Sequence, residues 1–189
     1  MADQRRLALI QPGDGAVLSQ DGRYRYALWR ELDQAAAGGP CETVTFVLLN
    51  PSIADAARDD PTVRRCRGFA SAWGYARVEV YNVFAWRATD PAALWAAAAS
   101  GEDIIGPEND AALEAGARRA DLVVCAWGQR AGRWYRNRQV AALLTQARAA
   151  LGPAPWLHAL RLSPRTHEPV HPLYLPASLT PQPWNGYAA

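Results

Sequence analysis

Two rhythms of apolar and polar positions alternate along this chain. "TVTFVLL" (43–49) is apolar on both faces, as a central parallel strand covered from both sides must be. "ARVEVYNVFAW" (76–86), "DLVVCAWG" (121–128) and "PWLHALRL" (155–162) read as further strands and their exits. Between them the period lengthens. Val63, Cys66, Phe69, Ala70 and Trp73 recur at three- and four-residue spacing, which predicts a helix opened by Pro61 and stopped by Gly74. "DPAALWAAAAS" and "PENDAALEAGARRA" predict two more helices, and Val140, Leu143, Leu144, Ala147 and Leu151 line one side of a fourth at about 134–150. Upstream, residues 7–30 predict a β-hairpin or edge pair. Tyr24, Tyr26 and Leu28 alternate there with Arg23, Arg25 and Ala27 as in a half-exposed strand, after an Asp21-Gly22 turn. The Pro-rich tail after Leu162 reads as an ordered surface loop.

This alternation predicts one domain over residues 1–189, its core at about 23–175. The expected architecture is a three-layer α/β/α sandwich on a mainly four-stranded parallel sheet, plus the N-terminal hairpin or edge strands. In such sheets ligands bind at the carboxyl ends of the strands. Asn50-Pro51-Ser52, Asn82 with Phe84, Trp127-Gly128, and Arg161 through His171 each follow one strand, so four strand exits are expected to converge on one cleft.

Composition removes several chemistries. All 20 basic residues are arginine, so a lysine Schiff base and a P-loop are both excluded. No GxSxG or GxGxxG is present, which removes the serine-hydrolase elbow and the dinucleotide fingerprint. The three cysteines, Cys41, Cys66 and Cys125, lie far apart, so neither disulfides nor structural zinc is expected. No apolar run approaches the ~20 residues of a membrane span, and the N-terminal apolar run is short for a secretory signal. A cytoplasmic location is expected. The net charge of +2 carries no strong nucleic-acid signal, although a local arginine patch can supply one.

One loop, "NPSIADAARDDP" (50–61), gathers three aspartates after a strand. Asp59 or Asp60 suits the N-cap of the helix that follows. Asp55 has no capping duty and suits a residue that orients water or steadies a cationic transition state. Asn50 and Ser52 suit a turn or the holding of a base edge. His171, fixed by Pro172, can donate to a leaving group or phosphate. Arg87, Arg161 and Arg165 can pair with aspartates or bind phosphate, and Trp127 and Phe84 can stack on a base or simply pack.

"LNPSIADAARDDPTVRRCRGFASAWGY", "VEVYNVFAWRATDPAAL", "GPENDAAL", "VVCAWG" and "HPLYL" together resemble the bacterial family called domain of unknown function 1643. More distantly, "LNPS", "YNVF" and "HPLYL" are similar to motifs of the uracil-DNA glycosylase superfamily, which has a four-stranded parallel sheet with helices on both sides. That resemblance implies that Asn50 or Asp55 handles the water, Asn82 the base, Phe84 the stacking and His171 the departing anion. The expected function is a nucleobase N-glycosidase or nucleotide-processing hydrolase acting on DNA or a nucleotide, with no cofactor or metal. The alternative is a non-catalytic nucleotide or nucleic-acid binding module, followed by a metal-dependent phosphoesterase built on the aspartates.

Overall fold

The computed structural model describes residues 12–33, 42–52, 54–154 and 156–187. Seven strands form one mixed sheet: β1 (Gly15–Leu18), β2 (Arg25–Glu31), β3 (Thr43–Leu48), β4 (Arg77–Asn82), β5 (Leu122–Cys125), β6 (Leu157–Ala159) and β7 (Gln182–Trp184). Their spatial order is β1-β2-β4-β3-β5-β6-β7. The four central strands, β4, β3, β5 and β6, are mutually parallel. Antiparallel strands extend both edges.

Among the described residues four helices cover the sheet: α1 (Pro61–Ala72), α2 (Pro91–Ala99), α3 (Asn109–Arg119) and α4 (Arg136–Ala149). The pleat explains why β3 is buried throughout, since successive side chains face opposite, covered sides. Val44, Phe46 and Leu48 pack in one buried cluster with Val63, Cys66 and Phe69 of α1. Val47 points the other way, into a cluster with Leu94 of α2, Leu113 of α3, and Val140 and Leu144 of α4. Both α1 and α2 open on Asp-Pro. Asp60 accepts from the Val63 N–H and Asp90 from the Ala92 N–H, with Pro61 and Pro91 at the first helical position. Trp73 stacks on Phe46 and Trp95 meets Phe84 edge-on, as helix-face tryptophans of a core do.

Three expectations need correction. The sheet has seven strands: it is larger than the expected four-stranded parallel core with its N-terminal edge pair, because the tail adds an antiparallel strand to the other edge. β2 is not a half-exposed strand: it pairs with β1 on one side and β4 on the other. Every residue from Arg25 to Arg30 is buried, because both arginine heads find carbonyl acceptors inside. The Pro-rich tail also yields β7, with Pro183 at the sheet edge where its missing N–H costs no ladder bond. "RLALI" and most of the 33–41 connector lie outside the described residues, as does Cys41. Cys66 and Cys125 are free, buried thiols. Among the described residues no helix is long and apolar enough to cross a membrane.

The connections position the site. From β3 the chain passes through α1 to β4 on one side, then through α2 and α3 to β5 on the other side of β3. The exits of β3 and β5 therefore leave adjacent strands in opposite directions and open a crevice at their carboxyl ends.

Candidate functional site

A cleft of about 670 Å³ occupies that crevice, within the range that holds a small ligand. The β3 exit contributes Leu49, Asn50 and Ser52; the loop into α2 contributes Ala88, Thr89 and Pro91. Trp127 through Arg130 follow β5, and His171, Leu173 and Tyr174 come from the loop after β6. Asp60, Thr62 and Val63 at the start of α1 complete one wall, and Arg25 of β2 lies at the bottom.

Asp60 is the carboxylate in this cleft. One oxygen accepts from the Val63 N–H at 2.8 Å, the other from the Ser52 hydroxyl at 2.6 Å. Two donors and the positive end of α1 thus hold a negative charge at one fixed place. His171 lines the same cleft. Its Nδ1 accepts from the Leu173 N–H at 3.4 Å, which leaves the proton of a neutral ring on Nε2 as a donor. Burial holds the imidazole below its ordinary value, against the opposing pull of Asp60, so the ring is neutral at pH 7. His171 heads a 3-10 turn, Pro172–Tyr174, fastened to α1: Arg65 donates to the Leu175 carbonyl and lies over the Phe69 ring at 4.8 Å.

The β5 wall is equally constrained. Trp127 is buried and its Nε1–H donates to Glu168 at 3.0 Å. The same carboxylate accepts from Asn137 at 2.8 Å and from the Tyr187 hydroxyl. Trp184 of β7 meets the indole edge-on at 5.6 Å between centroids. Gly128 follows at φ +76°, a backbone turn that L side chains resist, and its N–H is tied to the Pro169 carbonyl at 2.9 Å. Tyr174 stands at the mouth and is 89% exposed.

Of the residues expected from the sequence, Asn50, Ser52, Trp127 and His171 line the cleft. The Asn50 amide donates to the Pro51 and Ala88 carbonyls at 3.0 and 2.8 Å, so its donors stitch two exit loops together. Asn82 and Phe84 are buried outside the lining. Asn82 accepts from Arg25 at 3.1 Å, and Phe84 packs in the core against Trp95. Arg87 donates to the Gly22 carbonyl at 3.0 Å and lines a neighbouring depression of about 340 Å³. Arg161 and Arg165 are exposed and apart from the cleft lining.

Asp55 is also outside the lining. Its carboxylate accepts from the Ala57 and Arg58 N–H groups at 2.9 and 3.0 Å, and these bonds, the Ala57 one foremost, lower its pKa. Asp59 instead pairs with Arg30 and Arg67, both at 2.8 Å. The three aspartates therefore serve three separate ends. Among the described residues no group of three His, Cys, Asp or Glu side chains suits a metal ion.

Arg25, Asp60, Thr62, Thr89, Gln129, Arg130 and Tyr174 are polar lining residues that carry no site signal in the sequence. Asp60 was set aside because capping already explained it, and capping turns out to be compatible with facing the cleft. Tyr174 lay inside the noted "HPLYL" motif. Arg25 carried no signal, since an alternating strand pattern does not reveal what lies above the strand.

A family model described as "Protein of unknown function (DUF1643)" matches residues 25–173. The chain belongs to that family. The matched span runs from Arg25 at the cleft floor to Leu173 beside His171, so it takes in the whole parallel core and nearly all the cleft lining. No curated protein and no solved structure gives a significant match.

Proposed function

We propose that this protein hydrolyses the N-glycosidic bond of a nucleobase carried by a nucleotide or a DNA strand. One observation carries the reading: the Asp60 carboxylate and the neutral His171 imidazole line the same cleft, beside a Trp127 wall. Their roles follow from their chemistry. As the C1′–N bond breaks, its electron pair leaves with the base and positive charge grows on the sugar. A carboxylate held by Ser52 and the α1 N-terminus stabilises that charge without having to move. The His171 Nε2–H donates to the departing base, and water adds its oxygen to C1′ while its proton passes to the base. The similarity of "LNPS", "YNVF" and "HPLYL" to glycosylase motifs implies the same part for His171. The cleft differs at the other positions: Asp60 takes the part that the resemblance gives to Asp55 or Asn50, and Asn82 and Phe84 lie outside the lining, where Trp127 supplies the aromatic wall. Four parallel strands with helices on both faces also suit the glycosylase layout.

The test is release of free base from single- and double-stranded oligonucleotides bearing damaged bases, and from a panel of nucleotides. The expected result is release from at least one substrate, lowered about 100-fold or more by His171→Ala. Intact binding with no release from any substrate would sink the hydrolase and leave a nucleotide-binding module.

A further inference from the structure

Three arginines are buried almost completely, and they are not treated alike. Arg30 meets Asp59 at 2.8 Å, and Arg136 pairs with Asp110. Arg25, 2% exposed, has only neutral acceptors: the Ala54 carbonyl at 3.0 Å and the Asn82 Oδ1 at 3.1 Å. Its Nε has no partner, and among the described residues no carboxylate lies at ion-pair distance. Asp60 acts on it only through space, and burial lowers the guanidinium to about 10, which leaves it charged at pH 7. A buried cation without a contacting counter-ion is costly to the fold. This one lines the cleft.

We infer that the bottom of the cleft is an anion site centred on Arg25, and that its occupant is the terminal phosphate of a free nucleotide. The nucleotide half of this inference rests on the nucleobase reading above; the anion half does not. Charge bookkeeping within the cleft agrees. Arg130 at the mouth forms no ion pair among the described residues, so two guanidinium groups face one carboxylate, with His171 neutral. Both Asp60 oxygens are already engaged by Ser52 and Val63, which blunts their repulsion of a second anion.

Depth selects the source of the phosphate. A phosphodiester inside a strand needs room for the chain to enter and leave, whereas a terminal phosphomonoester can reach a buried guanidinium end-on. The overall charge of +2 also leaves little long-range attraction for a polyanion.

Calorimetric titration of the whole protein tests this with nucleosides, their 5′-monophosphates, matching single-stranded oligonucleotides lacking terminal phosphate, and inorganic phosphate. Monophosphates are expected to bind roughly 10- to 100-fold more tightly than their nucleosides, the usual worth of a charged hydrogen bond. Inorganic phosphate should compete with them. Arg25→Met should abolish the difference while nucleoside affinity holds. Should that variant fail to fold, competition by inorganic phosphate against the unaltered protein decides alone. Equal binding of nucleoside and monophosphate, or no competition by phosphate, overturns the anion site. Tighter binding of the oligonucleotides than of the monophosphates overturns the free-nucleotide assignment. Binding of inorganic phosphate without any nucleobase compound would instead refute the nucleobase reading and leave the anion site standing.

Discussion

Asp60 is asked to do two things by the residues around it, and one substitution separates them. As an N-cap it needs only an acceptor for the Val63 N–H, and asparagine serves as well as aspartate. As the cleft carboxylate it needs its charge. Asp60→Asn is therefore expected to keep stability within about 1 kcal/mol while base release falls at least about 100-fold. Chemical denaturation and the base-release assay on the same preparation check this. An Asp60→Asn protein with undiminished turnover would remove Asp60 from the chemistry. Asp55→Asn is expected to leave turnover unchanged, because the Asp55 carboxylate serves its own turn.

Among the elements, the 54–60 loop matters most, because it sets where Ser52 and Asp60 stand. Arg30 of β2 holds it from below: it donates to Asp59, and to the Asp55 carbonyl at 2.5 Å. Burial works to raise the Asp59 pKa, but hydrogen bonds from Arg67 and Arg30 outweigh it and leave the carboxyl below its ordinary value. Asp59→Ala strands the Arg30 charge, with only the more exposed Asp14 at 3.5 Å to offset it. A loss of roughly 2–4 kcal/mol is expected in urea denaturation. Arg30→Met with Asp59→Ala should recover part of that loss, because no unpaired charge then remains buried. If the double variant is no more stable than Asp59→Ala, the buried pair is not what anchors the loop.

At the scale of the whole molecule, two histidines make the fold sensitive to mild acid. His171 is held below its ordinary value by burial, against Asp60; His158 is lowered by burial and by Arg148. The unfolded chain takes up these protons near the ordinary histidine value of about 6.5, the folded chain only at lower pH. Below that value the unfolded state binds more protons, so stability falls as pH falls; above it neither histidine contributes a slope. Thermal unfolding between pH 7.5 and 5.0 should show Tm dropping on the acid side. His158→Gln with His171→Gln should flatten that part of the curve, and an unchanged slope would count against both shifts.

Much of this was legible in the chain itself, for local reasons. Period-two and period-3.6 patterns, Asp-Pro helix starts and the both-faces-apolar runs depend on neighbours in sequence. They sufficed for the parallel core, the four helices, and Asn50, Ser52, Trp127 and His171 at strand exits. What only the tertiary structure decided depends on residues distant along the chain. Burial of β2 required β1 on one side and β4 on the other. The strand in the tail required β6 as a template. That Asp60 and not Asp55 lines the cleft depends on the Ser52 hydroxyl and on the His171 turn, 111 positions downstream of Asp60. The charge of Arg25 was written in the sequence; that no carboxylate among the described residues pairs with it was settled by packing alone.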